Sequence, residues 1–84
     1  MLNVGRATQT LRQVLKTYEI SHDNLATTMG ISRVKVDRWF YGIDPTAEEI
    51  AAMTRAIKQI SPDAAIAFVQ QYLGTILEDE EDQE

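Results

Sequence analysis

The chain has no cysteine, only two prolines and a single histidine among its 84 residues. Without cysteine there are no disulfide bonds, no thiolate nucleophile and no cysteine-ligated zinc. The longest wholly apolar run, residues 64–69, is far shorter than the roughly 20 residues that a membrane-spanning helix needs. Residues 1–6 show neither the apolar stretch nor the cleavage pattern of a secretion signal. We therefore expect a cytoplasmic protein with no membrane association.

Length and composition favour one small soluble domain. Domains usually run to roughly 100–150 residues and few fold alone below about 40, so 84 residues allow a single unit. With 44% hydrophobic and 25% charged residues, the chain has side chains for both a core and a solvated surface. This composition disfavours the disordered, collagen-like and membrane classes.

Basic residues are outnumbered by acidic ones, 8 to 13, which gives a formal net charge of -5. At first sight this argues against a nucleic-acid binder, which usually carries a basic surface. However, residues 78–84 hold six of the 13 acidic residues and no base, whereas residues 1–42 hold six bases and three acids. We interpret residues 78–84 as an acidic disordered tail and residues 1–77 as the folded domain.

Apolar residues recur at three- and four-residue steps, which is typical of helices with one buried face, and no segment alternates as a strand does. A first helix is predicted from about Val4 to Tyr18. Ser21 and Ser32 can each cap a short helix, the first ending at Gly30 and the second covering residues 32–40.

Two longer helices are predicted to follow. Thr46 and Glu49 fit a capping box, in which each side chain bonds the other residue's backbone N–H, at the start of a fourth helix ending near Ile60. Ser61-Pro62-Asp63 can begin a fifth helix that continues over residues 64–77. The sequence therefore predicts an all-α bundle of five helices.

The segment from residue 22 to residue 41 has the most informative spacing. Ala26 is small enough for two helices to cross closely and Gly30 allows a tight turn. A shared core can be closed by Leu25, Met29, Ile31, Val36 and Trp39. This packing uses every apolar position except Val34. The outward-facing residues of the third helix are then Arg33, Val34, Lys35, Asp37 and Arg38.

Through Leu25-Ala26, Met29-Gly30-Ile31-Ser32, Val36, Trp39 and Gly42, the chain resembles the phage-repressor and Cro type of helix-turn-helix domain, also called the xenobiotic-response-element type. The resemblance covers residues 4–77 and implies a lambda-repressor-like bundle containing a helix-turn-helix. Members of this family are prokaryotic and phage DNA-binding regulators that act as dimers and lay the third helix in the major groove.

The resemblance also implies roles for single residues. Arg33, Val34 and Lys35 fall on base-reading positions, where Arg or Lys can donate to guanine and Val34 can pack on a thymine methyl group. Ser32 would contact a phosphate. His22, where the family frequently has glutamine, and Tyr41 fall on positions near the DNA backbone. Further along the third helix, Asp37 and Arg38 face the same groove, and we expect Asp37 to pair with Arg33 or Arg38.

Several of these residues also have simpler interpretations. The bases of the third helix fit an ordinary solvated face. His22 has no second metal ligand nearby, so we expect a surface or capping-region histidine and no metal site. Trp39, Tyr18 and Tyr72 lie on apolar faces and are predicted to pack in the core.

The fifth helix carries more apolar residues than one core-facing stripe requires. Two explanations stay open, a homodimer through residues 61–77 and a helix buried at the centre of the bundle.

The leading hypothesis is a sequence-specific, double-stranded-DNA-binding transcriptional regulator located at the nucleoid. The alternative is a protein-interaction module, an antitoxin or adaptor that uses the fifth helix or the acidic tail on a basic partner. We do not expect an enzyme or a cofactor, because the single histidine has no obvious carboxylate partner and there is no phosphate-cradling glycine loop.

Overall fold

Five α-helices form the part of the chain that the computed structural model describes, residues 5–82, with residues 75, 76 and 78–82 described by their backbone alone. These residues contain no strand. The predicted all-α architecture of five helices is therefore confirmed. The helices are α1 (Arg6–Thr17), α2 (His22–Met29), α3 (Arg33–Trp39), α4 (Ala47–Ile60) and α5 (Pro62–Asp82).

Hydroxyl side chains cap the starts of α2, α3 and α4, as predicted. The Oγ atoms of Ser21 and Ser32 accept hydrogen bonds from the backbone N–H groups three residues later, at 3.0 and 3.3 Å. At α4, Thr46 and Glu49 form the complete capping box. Because each cap satisfies an N–H group that has no partner within its helix, the caps fix where these helices begin.

The turn between α2 and α3 is made by Gly30, whose φ of 76° lies in the left-handed region that favours glycine. Gly30 N–H donates to the carbonyl of Thr27 at 3.2 Å, and Ile31 N–H donates to the carbonyl of Ala26 at 3.0 Å. This pair of bonds is a Schellman motif, which ends α2 within one residue. Since Ser32 caps α3 immediately afterwards, the two helices are joined by a minimal connection.

The core contains residues from all five helices. α5 packs against α1 and α4, and α2 packs against α3 and α4. Within α3 the two buried residues are Val36 and Trp39, as predicted, and Val34 is 59% exposed. The largest fully buried side chains are Leu11, Val14, Leu25, Val36, Met53, Ile57 and Phe68, together with Thr8.

The predicted packing of the two tyrosines is only half right. Tyr72 is partly buried and its ring stacks on Phe68 with centroids 6.0 Å apart. Tyr18 was expected in the core but is 38% exposed. The reason is that α1 ends at Thr17 and the chain turns away through Glu19, whose φ is positive at 56°.

α5 extends beyond its predicted end. Its helical backbone runs through Asp82, so it includes residues 78–82, which were expected to belong to a disordered tail. No proline or glycine follows Gly74, and glutamate has a good helix propensity, so nothing in the sequence ends the helix at Leu77. The boundary predicted at residue 78 is therefore not marked by the backbone, and residues 83 and 84 lie outside the described residues.

Candidate functional site

α3 presents an exposed, partly basic face whose composition follows the sequence prediction. Arg33, Val34, Lys35 and Arg38 are all exposed on this face. At its two ends Ser32 and Tyr41 are also exposed. Val36 and Trp39 pack the opposite side of the helix against the core, so the backbone that carries the exposed side chains is held in place.

Asp37 is the half-buried member of this face and links α3 to α2. Its Oδ1 atom accepts a hydrogen bond from Nδ1 of His22 at 2.8 Å, and its Oδ2 atom lies 3.6 Å from Nε of Arg33. Of the two ion pairs expected for Asp37, the one with Arg33 is therefore formed. Within the described residues, Asp37 forms no ion pair with Arg38. A carboxylate only accepts hydrogen bonds, so the His22 proton on this side resides on Nδ1.

His22 lies at the start of α2, directly after the cap Ser21, as expected of a surface or capping-region histidine, but the expectation that it has no carboxylate partner is wrong. Besides its bond to Asp37, the imidazole stacks on the ring of Phe40, with centroids 4.5 Å apart and an interplanar angle of 16°. His22 begins α2 and Phe40 follows α3, so the two contacts tie the helices together. The pairing was not visible in the sequence because His22 and Asp37 are 15 residues apart.

The bases of α3 are largely matched by acids, which the charge count along the chain did not reveal. Arg33 Nη1 lies 3.3 Å from Oδ2 of Asp23, in addition to its contact with Asp37. Lys35 Nζ lies 3.3 Å from Oε2 of Glu49, which comes from α4. The positive charge of α3 is therefore offset by carboxylates from two neighbouring helices.

Glu49 has two contacts, one for each carboxylate oxygen. Oε1 accepts the backbone N–H of Thr46 at 2.8 Å, and Oε2 faces Lys35. The hydrogen bond from Thr46 is the main cause that lowers the pKa of Glu49 below its ordinary value of 4.5, and Lys35 adds to the lowering while burial opposes it. The charged form of Glu49 therefore stabilises both the start of α4 and the position of Lys35.

We expect the variant Glu49→Gln to be less stable than the natural protein at pH 7 and equally stable near pH 3. A depressed folded-state pKa contributes stability above the unfolded pKa, and this contribution is lost as the pH falls through the folded pKa. Glutamine keeps the length and one acceptor oxygen of the capping box but has no charge. Urea unfolding of both proteins at pH 7 and pH 3 measures the difference, and an equal gap at both pH values would contradict the assignment.

A second basic cluster lies where α1 meets α2 and the end of α3. Arg12, Lys16 and His22 line a cavity of about 380 Å³, together with Leu15, Ile20 and Phe40. The guanidinium carbon of Arg12 lies 5.4 Å from the centroid of the Phe40 ring. Among the described residues, no carboxylate lines this basic cavity and neither Arg12 nor Lys16 takes part in an ion pair.

Sequence reasoning missed Arg12 and Lys16 as site residues, although one signal was available. They are four residues apart and so lie on the same side of α1, where no acid accompanies them. What the sequence could not show is that His22 and Phe40, from distant positions, complete the cavity.

Two kinds of site are not found in the described part of the chain. No group of three or more His, Cys, Asp or Glu side chains is arranged there to hold a metal ion. No helix in this part is long and apolar enough to cross a membrane.

Neither a protein-family model, nor a curated protein, nor a solved structure matches the chain.

Proposed function

We propose that this protein is a sequence-specific DNA-binding transcriptional regulator of the prokaryotic or phage type, located at the nucleoid, with α3 in the major groove of duplex DNA. The observation that carries the proposal is the first turn of α3. Arg33, Val34 and Lys35 project there into solvent from a short helix whose other side is buried. The major groove admits an α-helix, and its base edges offer partners for these three side chains.

Each side chain of this turn suits a different base contact. A guanidinium has five N–H donors, so Arg33 retains donors for guanine O6 and N7 while it contacts Asp23 and Asp37. Val34 offers methyl groups to thymine. The hydroxyl of Ser32 accepts from Lys35 N–H as a cap, and its own hydrogen remains available to a backbone phosphate.

The acids around α3 favour selectivity over affinity. Asp23, Asp37 and Glu49 hold Arg33 and Lys35 in defined positions, but they also reduce the attraction of this face to phosphates. Non-specific binding depends on phosphate neutralisation and falls steeply with salt. We therefore expect weak, salt-sensitive non-specific binding and a larger share of affinity from base contacts.

We also propose a homodimer through α5. Four large apolar residues form a stripe along this helix and are 39–61% exposed, namely Ile66, Val69, Leu73 and Leu77. Beside this α5 stripe lies an apolar groove of about 490 Å³ between α4 and α5. A symmetric pair of chains would bury the same stripe twice and present two copies of α3 to successive half-sites of DNA.

The α5 stripe also favours a second candidate, a protein-interaction module such as an antitoxin or adaptor. In this case the stripe, together with the acidic end of α5, would bind a partner protein with basic residues around an apolar patch. Fold alone does not decide between the two, because one fold can serve several functions.

Selection of bound sequences from random duplexes tests the DNA-binding proposal. We expect a consensus with two half-sites about one DNA turn apart. In anisotropy titrations on this consensus, Arg33→Gln combined with Arg38→Gln should weaken binding by at least about 30-fold, since each good base contact is worth about 1–3 kcal/mol.

The matched control is Lys58→Gln combined with Gln59→Glu. It lowers the net charge by the same amount at exposed positions near the end of α4, roughly 14 Å along that helix from the Glu49 contact with Lys35. This control should bind within about threefold of the natural protein. Because Lys58 lines the groove beside the α5 stripe, sedimentation velocity should also show that the control keeps the oligomeric state of the natural protein. If no consensus emerges and no duplex binds even at low salt, the proposal fails and the interaction module becomes the better account.

A further inference from the structure

We infer that the basic cavity of Arg12, Lys16 and His22 binds a phosphate group, and that in the DNA complex this is a phosphate of the backbone beside the groove that α3 occupies. Phosphate binding follows from the properties of the cavity alone. The assignment to a DNA backbone phosphate rests on the proposed function.

The charge around the cavity favours an anion. Arg12 and Lys16 carry positive charge there, and within the described residues neither is neutralised by a carboxylate. Asp37 contacts the Nδ1 side of His22 and is shared with Arg33, so its charge is already engaged. On α3, by contrast, two of the three bases face acids. An approaching phosphate therefore meets less opposing charge at this cavity than at the first turn of α3.

One donor group of the cavity, the Arg12 guanidinium, has a defined position before any ligand arrives. The Arg12 guanidinium lies over Phe40, and the His22 ring stacks on the same phenyl group. Among the described residues, none accepts a hydrogen bond from Arg12 or Lys16. Arginine donors match phosphate oxygens in pairs, and lysine adds a point charge. These groups are therefore available to a ligand with several acceptor oxygens.

The rest of the cavity suits the sugar that accompanies a backbone phosphate. Leu15, Ile20 and Phe40 supply an apolar surface, against which the carbon atoms of a deoxyribose can pack. The volume of about 380 Å³ falls within the range of roughly 300–1,000 Å³ typical of small-ligand sites. A phosphate with part of its sugar therefore fits better than a bare carboxylate would.

The position of the cavity connects it to the exposed face of α3. His22 and Phe40 also line a second cavity, whose other residues are Arg33, Asp37 and Tyr41. The two cavities share these rings, so the surface is continuous from the start of α3 to Arg12 and Lys16. A DNA strand that borders the groove around α3 can therefore place one phosphate at the basic cavity.

The test compares Arg12→Gln combined with Lys16→Gln against the control pair Lys58→Gln and Gln59→Glu, all in the full chain. Both pairs lower the charge by two at exposed positions, so circular dichroism should show the same fold. On the selected duplex and on unrelated duplexes alike, the cavity variant should lose at least 10-fold in affinity. Its slope of log K against log salt should fall by about one, while the selected consensus stays unchanged.

Unchanged binding by the cavity variant, or an equal loss in both pairs, would overturn the inference whenever the natural protein binds duplex DNA. If the natural protein binds no duplex, the proposed function fails. A titration with inorganic phosphate, followed by ¹⁵N NMR, then tests whether the basic cavity binds phosphate at all. Saturable shifts at His22 and Phe40 that vanish in the cavity variant would assign the cavity to free phosphate compounds. If these shifts are absent, the cavity does not bind phosphate and the inference is wrong.

Discussion

Replacement of Phe68 by alanine is expected to lower the free energy of unfolding by about 3–5 kcal/mol. The side chain is only 1% exposed, belongs to α5 and stacks on Tyr72. Removing a buried ring loses its transfer free energy and leaves a cavity that neighbouring helices fill only partly. Small domains have about 5–15 kcal/mol of stability in total, so this single change removes a large part of it.

Urea unfolding followed by circular dichroism measures the effect. The matched control is Leu73→Ala on the same helix, whose side chain is half exposed. It should cost less than about 1 kcal/mol when the protein is dilute enough for dimerisation not to contribute. Similar losses for the two variants would mean that α5 does not pack on α1 and α4 through the face that carries Phe68.

The second large effect concerns the α5 stripe. Ile66→Gln combined with Leu73→Gln should raise the dissociation constant of the proposed dimer by several hundred-fold. Each side chain is about half exposed in the single chain, and burying its exposed part in the dimer contributes about 1 kcal/mol to the free energy of association. Because both chains of a symmetric dimer carry the two changes, four such contributions are lost. Glutamine adds no charge, so any change in DNA affinity would follow from dissociation.

Sedimentation velocity over a range of concentrations measures this constant. Ile66→Gln and Ile43→Gln form a matched pair of single changes, because the two isoleucines are 55% and 58% exposed but only Ile66 belongs to the stripe. Only Ile66→Gln should weaken the dimer. A natural protein that stays monomeric at high concentration would contradict the dimer and leave α3 to bind DNA as a single copy.

The local features of the fold could be predicted from the sequence because each depends on a few neighbouring residues. Ser21, Ser32 and Thr46 cap helices through bonds that span only three residues. Gly30 makes its turn because its own backbone conformation requires a residue without a side chain. The inward positions of α3 follow from helical periodicity, so Val36 and Trp39 were identified as core residues.

The features that were missed depend on how the helices meet. Lys35 and Glu49 are far apart in the sequence and come together only because the start of α4 lies beside α3. The bonds of Asp37 with His22 and the completion of the basic cavity by Phe40 have the same origin. A charge count along the chain places these groups in separate segments, so it did not show that Arg33 and Lys35 face carboxylates in the folded protein.

Trp39 gives this protein a built-in optical reporter. It is the only tryptophan in the sequence, it lies on the inner side of α3, and it is almost completely shielded from water. Its fluorescence therefore reports whether α3 is packed on the core, rather than the average state of the chain. A red shift that precedes the loss of helical circular dichroism would reveal α3 detaching while the other helices stay folded.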